Sequence, residues 1–204
     1  MIHSKTWGGA ATPVFHFTHI DNLTTIAASG LQCDTRIQTA NILQQEVGNQ
    51  GIKSMRRARE VPVPPGGVVA DYVPFYFAPR SPMMYAIHMS NVPTYRDGCD
   101  EIVYLCSTLG RLRAVGSTLL LTDRNAALAH ASLAFDAEDL DIDWPLMGER
   151  SWKNTPEYPD RREKRMAECL AHEFVAPQAI AAVAVKSQAI ADEVSRLVGD
   201  SWPV

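Results

Sequence analysis

Asp71-Tyr-Val-Pro-Phe-Tyr-Phe-Ala-Pro-Arg-Ser-Pro-Met-Met-Tyr85 holds the densest set of structural signals in this chain of 204 residues. Val73 to Phe77 is short, aromatic and β-branched, which is the composition of a strand that packs one or both faces. Pro79 and Pro82 break it, because proline has no N–H to give a ladder, and Met83 to Met89 reads as a helix behind it. Tyr76 sits between Phe75 and Phe77, and core packing is the ordinary fate of such a trio.

The flanking segments repeat this alternation of short strands and short helices. Val14 to Thr18 alternates apolar and polar residues as a strand does, and Asp21 or Asn22 is placed to cap a helix that Gly30 ends. From Leu31 to Gly51 the chain is polar and weakly periodic. The basic run Lys53, Arg56, Arg57, Arg59 follows and stops at a proline- and glycine-rich loop from Val61 to Gly67, so residues 31–60 read as a mobile flap. Glu101–Ser107 and Thr118–Thr122 read as buried strands, with Asp123 capping a helix to about Leu133. Phe135 to Arg162 has acids, prolines, Trp144 and Trp152 but no period, as in a long structured loop. Met166 to Phe174 is strand-like, Ile180 to Val185 reads as a buried strand, and Ser187 to Val198 as a closing helix. This order predicts an α+β fold in a single domain spanning 1–204.

Composition narrows the function. A hydrophobic fraction of 46% and a charged fraction of 21% are those of a folded soluble domain. The net charge of −4 disfavours sequence-blind coating of nucleic acid, so any nucleic-acid contact must be local. Cys33, Cys99, Cys106 and Cys169 are widely spaced and read as free thiols. His16 and His19 lack a second ligand pair, so no metal is expected. The opening MIHSKTWGGAATP has no basic stretch followed by an apolar run, and no segment reaches the roughly 18 to 20 apolar residues of a membrane span. The expected location is cytoplasmic, with no membrane partner.

The 71–85 block closely resembles the central signature of the DarT family of DNA ADP-ribosyltransferase toxins. His16-Phe-Thr-His-Ile-Asp-Asn22, the basic run around Arg56 and Met166-Ala-Glu-Cys-Leu170 match in order, and Arg56 stands fifteen residues before Asp71, as in the family. The resemblance spans about residues 13 to 186. Two positions depart from it: Asn125 stands where the family usually has His, and the chain ends in Gly199-Asp-Ser-Trp-Pro-Val204. The resemblance implies an ADP-ribosyltransferase fold, a split sandwich of two small antiparallel sheets with flanking helices and the NAD cleft between them. It further implies an NAD-binding flap at 31–60 and a substrate-recognition loop at about 118–168.

The implied activity moves ADP-ribose from NAD, a co-substrate, to a thymine base in single-stranded DNA, with a macrodomain antitoxin of the DarG type as partner. Guanine, RNA or protein as acceptor, and a non-catalytic binding module, are the alternatives. Breaking the nicotinamide–ribose bond builds positive charge on the ribose, so a fixed carboxylate is needed. The resemblance assigns this role to Glu168, which by residue type alone is an exposed acid on an edge strand. Arg56 is by itself a solvated charge; the resemblance has it hold the NAD phosphates and help remove the acceptor's proton, as a base or only electrostatically. His16, Phe17, Thr18, Asn22 and Tyr76 are the implied NAD contacts, His16 being otherwise a half-buried strand histidine. Tyr76, Met83, Asn125, Trp152 and Arg165 are the implied DNA contacts. Trp144 reads equally as a base-stacking ring or a buried anchor.

Overall fold

A computed structural model describes residues 7–204; residues 1–6, on which part of the reading of the amino terminus rests, lie outside the described residues. The chain begins with β1 (Pro13–His19), whose alternation of apolar side chains is the predicted strand, and continues into α1 (Leu23–Ser29) and β2 (Leu31–Gln32). The flap is more ordered than its polar sequence suggests, carrying α2 (Asp34–Ala40) and α3 (Gln50–Ala58). The signature block forms β3 (Tyr72–Tyr76) and α4 (Pro82–His88), with Ser81 Oγ capping the Met84 N–H and Pro82 at the position where a missing N–H costs nothing. Next come β4 (Ile102–Thr108), α5 (Leu109–Ala114), β5 (Leu119–Thr122) and β6 (Leu133–Ala134). The long loop contains two single-turn helices, α6 (Trp144–Gly148) and α7 (Arg161–Lys164). The chain closes with β7 (Glu168–His172), β8 (Phe174–Val175), β9 (Ala182–Ala184) and α8 (Gln188–Val198).

Seven strands run in the antiparallel order β6-β5-β7-β3-β1-β4-β9, and β2 and β8 form a second, two-stranded sheet. The expected α+β sandwich is therefore formed, and its split lies inside the larger sheet. β1 and β3 share a single register pair, Phe15 with Tyr76, whereas β1 pairs with β4 along seven residues and β3 with β7 along five. Pro74 supplies the physical reason. In a strand the N–H and C=O of one residue point the same way, so Pro74 offers β1 no donor, and its carbonyl oxygen instead accepts from His16 Nδ1 at 2.8 Å. A side chain thus bridges the place where a backbone rung would lie, and the two halves of the sheet part there.

Strand alternation separates core from site. Phe75, Cys169, Leu105 and Val14 are fully buried and pack with Leu23, Val194 and Trp202 on one face. Tyr76 and Glu168, one residue on in register, face the other way. Of the aromatic trio, Phe75 and Phe77 are core, and Tyr76 is not.

Three expectations are corrected. No helix follows Asp123: its carboxylate accepts from the Ser132 N–H at 2.9 Å, closing residues 123–132 into a loop that returns as β6. The strand expected over Ile180–Val185 is only Ala182–Ala184, an edge strand in which Val183 alone is buried and donates its N–H to the Pro203 carbonyl. At α1 neither Asp21 nor Asn22 supplies a side-chain cap, because the Asn22 amide is used elsewhere. The four cysteines are free thiols.

Gly30 ends α1 as expected, at φ +80° and ψ 171°, a region open to glycine alone. A Cβ there would also lie 2.1 Å from the Phe174 ring and 2.8 Å from the Val175 carbonyl. Gly30→Ala is therefore expected to destabilise the fold by about 2 kcal/mol or more, measured by urea unfolding; a change below about 0.5 kcal/mol would show that the α1–β2 corner adjusts freely.

Candidate active site

Glu168 begins β7 and is fully buried. Its N–H donates to Thr122 Oγ1 at 3.0 Å, which fixes the backbone. Its carboxylate receives Arg56 Nη1 on both oxygens, at 3.2 Å on Oε1 and 2.8 Å on Oε2, and the Ala126 N–H on Oε1 at 3.2 Å. The exposed-acid alternative fails for this residue. A buried carboxylate needs a partner, and this one has a guanidinium from 112 positions earlier in the chain.

The flap brings that guanidinium in. Asn49 Oδ1 caps α3, accepting from the Gly51 and Ile52 N–H groups, and the helix period then puts Lys53 and Arg56 on the face turned to the cavity. Arg57 turns away to pair with Asp34 at 2.8 Å. Lys53 pairs with Asp34 at 2.6 Å and with Glu46. The flap's root is Asn22: Oδ1 accepts from the Gln44 and Gln45 N–H groups at 3.1 and 3.0 Å, and Nδ2 donates to the Gln45 carbonyl at 2.8 Å and to Thr18 Oγ1 at 3.0 Å. One amide side chain thus joins the first strand-to-helix junction to the flap.

Between flap and sheet lies a cavity of about 350 Å³. His16, Phe17, Thr18, Asn22, Arg56, Tyr76, Met83 and Asn125 all line it, as do Lys53 and Met166. Arg56 Nη2 is buried and, among the described residues, has no hydrogen-bond partner. A buried cationic donor without a partner is costly, and an anionic oxygen within the cavity would satisfy it, so the residues fit a dinucleotide's phosphates. Phe17 stacks on Tyr76 with ring centroids 6.1 Å apart and planes 4° from parallel. Burial, followed by the neighbouring Glu168 charge, pushes the Tyr76 phenol well above its usual range, so its hydroxyl remains a donor.

The carbonyl of Pro74 can only accept, so His16 carries its proton on Nδ1 and keeps Nε2 as an acceptor. Burial lowers its pKa from 6.5 to about 4, the Pro74 bond working against and the Arg56 charge with that trend. His16 is therefore neutral near pH 7.

Three sequence-derived residues lie outside the cavity lining, and the first of them, Glu168, is fully buried and joined to the lining through Arg56. Trp152 stands edge-on to Tyr85, centroids 5.9 Å apart. Arg165 is 2% exposed, with its guanidinium donating to the carbonyls of Arg80 and Leu146, so it anchors the long loop to the end of the signature block. Trp144 stacks on Trp7 at 5.4 Å and meets Phe77 edge-on at 5.0 Å, which is the anchor reading. Sequence reasoning missed Asp34, Gln45 and Glu46 at the cavity, because the 31–51 stretch has little periodicity to say which polar side chains turn inward. It also missed the Ala126 amide, a backbone group with no signature. Among the described residues no cluster of three metal-ligating side chains occurs, and no helix is long and apolar enough to cross a membrane.

A cleft opened in a split antiparallel sheet, with one buried carboxylate on the strand face and a cation folded over it, defines an ADP-ribosyltransferase. Residues 15–202 match the family model described as ssDNA thymidine ADP-ribosyltransferase, DarT, and the chain belongs to this family. It is 37% identical over 188 residues to a DNA ADP-ribosyl transferase of Thermus sp. (strain 2.9), covering 92% of this chain and 87% of that one. Its fold matches the solved Thermus sp. 2.9 DarT in complex with ADP-ribosylated ssDNA, TM-score 0.85 at 34% identity over 95% and 90% of the two chains. The same protein in complex with NAD+ matches at TM-score 0.79 and 34% identity, over 95% and 91%. It is also 24% identical, over 92% of its own length and 46% of the other's, to a DNA ADP-ribosyl transferase-DNA ADP-ribosyl glycohydrolase fusion protein of Thermosipho africanus.

His16 makes stability depend on pH in a defined window. Above pH 6.5 the imidazole is neutral in both states; between pH 6.5 and 4 the unfolded chain takes up a proton that the folded one refuses, so stability falls as pH falls. The loss approaches about 3 kcal/mol near pH 4. His16→Asn, which has no proton to gain, is expected to flatten this part of the curve in denaturant titrations at pH 7 and pH 4.5; parallel curves for both proteins would remove His16 as the cause. For the flap, Asn22→Ala should raise the KM for NAD about tenfold or more, read from nicotinamide release.

Proposed function

We propose that this enzyme transfers ADP-ribose from NAD to a thymine base in single-stranded DNA, with Glu168 and Arg56 as its catalytic residues. The observation that carries the reading is the buried contact between Arg56 Nη1 and Glu168, 2.8 Å long, at the wall of a cavity also lined by His16, Phe17, Thr18, Asn22 and Tyr76. Glu168 Oε1 already has two donors, whereas Oε2 has only Arg56, so Oε2 is the oxygen free to accept from a ribose hydroxyl. There the carboxylate stabilises the positive charge that grows as nicotinamide leaves. Arg56, with Nη2 unpartnered, reaches the phosphates, and His16 Nε2 and Thr18 hold the ribose and the nicotinamide amide. Phe17 and Tyr76 form the aromatic wall beside the leaving ring.

The acceptor base enters at the end bounded by Met83, Asn125 and Tyr76. A ring nitrogen that is hydrogen-bonded inside a duplex is exposed in a single strand, which favours that substrate. Its proton leaves under the field of the Arg56 cation, either taken up by a shared-proton arrangement at Arg56 or lost to solvent with Arg56 stabilising the anion. Outside the cavity the Tyr85–Trp152 pair offers a stacking surface for neighbouring bases, and the exposed Arg80, Arg150 and Lys153 meet phosphates. Arg165 serves this surface by anchoring the loop that carries Trp152. The fusion of the Thermosipho relative to a glycohydrolase supports a DarG-type macrodomain antitoxin as partner. Such an enzyme works where the cell's DNA is, in the cytoplasm.

Incubation with NAD and separate thymine-only, guanine-only and RNA oligonucleotides tests the acceptor: the thymine strand alone should gain the mass of one ADP-ribose. Guanine or RNA labelling would replace thymine as the target. Glu168→Gln should lower the rate of nicotinamide release by about a thousandfold. An unchanged rate would move the catalytic carboxylate elsewhere.

A further inference from the structure

The Ala126 N–H that donates to Glu168 Oε1 belongs to a tight turn built by Asn125. Asn125 is 6% exposed; its Oδ1 accepts from the Ala127 N–H at 3.0 Å, and its backbone carbonyl accepts from the Leu128 N–H at 3.0 Å. This is the arrangement by which an asparagine starts a turn, its side chain satisfying the second N–H that follows it and its backbone carbonyl the third. The first, that of Ala126, is left over and points at the carboxylate. The other end of the turn is tied as well, since Thr122 Oγ1 donates to the Arg124 carbonyl at 2.6 Å while accepting the Glu168 N–H. Asn125 Nδ2 lies 3.7 Å from Met166 Sδ, reaching the residue two positions before Glu168.

We infer that Asn125 is a positioning residue for the transfer: by holding the 125–128 turn it aims the Ala126 amide at Glu168 Oε1 and leaves Oε2 to face the ribose. The inference rests on Glu168 being the reacting carboxylate. A fixed backbone donor needs no reorganisation when charge develops nearby, so its loss is felt in the chemical step and not in binding. An Asn125 whose main work is to touch the DNA predicts the opposite split.

Asn125→Ala removes the side-chain acceptor, whereas Asn125→Ser keeps one that can take the same N–H. Nicotinamide release is measured in the full chain with NAD and a thymine oligonucleotide, each varied in turn. The expected result for Asn125→Ala is a kcat lowered about tenfold with both KM values within about twofold, and for Asn125→Ser recovery of most of the rate. An unchanged kcat with a raised oligonucleotide KM, or equal losses in both variants, overturns the proposal. Glu168→Gln is run alongside: if it releases nicotinamide at the full rate, the reading of Glu168 is what failed.

Discussion

The contact between Arg56 and Glu168 is the constraint on which the rest of the structure turns. A carboxylate with no solvent exposure is tolerated only if its charge is answered, and here the guanidinium of an arginine whose side chain is 12% exposed answers it. The two groups come from different parts of the fold, one on a helix of the flap and one on the central sheet. The placing of the flap helix and the stabilising of the acid are therefore coupled. In the cavity beside this pair the unpartnered Arg56 Nη2 calls for an anionic oxygen, and a dinucleotide offers several.

The sheet accommodates this by failing to be continuous. Pro74 denies β1 a donor, His16 takes the carbonyl that remains, and β1 and β3 meet at one pair of residues. That pair includes Tyr76, which is also in register with Glu168 on the next strand. The single crossing point thus sets the aromatic wall beside the acid, and the parting of the strands beyond it gives the cleft its floor. The same hydrogen bond that spans the gap selects the tautomer of His16, while burial and the Arg56 charge hold the ring neutral.

The flap's charges are balanced within the flap. Lys53 and Arg57 are spent on Asp34 and Glu46; of the basic run, Arg56 Nη2 and Arg59 Nε are buried without a partner among the described residues, and of these two only Arg56 lines the cavity. A net charge of −4 does not oppose the binding of anions here, because the unpartnered Arg56 nitrogen acts locally in the cavity, where it matters more than the sum over the molecule.

Much of this was legible in the linear chain, because strand alternation, proline breaks and a glycine stop are local physics. β1, β3, β4, β5 and α8 stand close to where their residue patterns put them, and the spacing of Arg56 from Asp71 and the Met166–Leu170 motif identified both charged partners. What the sequence could not decide is which polar residues turn inward. Asp123 looks like a helix cap until a partner amide at Ser132 claims it, nothing in the sequence around Arg165 shows that it donates to the carbonyls of Arg80 and Leu146, and the Ala126 amide bears no side chain to advertise it. Residue type and local period determined the elements, and the resemblance singled out Arg56 and Glu168; only tertiary structure decided that the two meet and how they are oriented, because hydrogen bonds from distant loops and the burial they create are set by packing and not by neighbours in the chain.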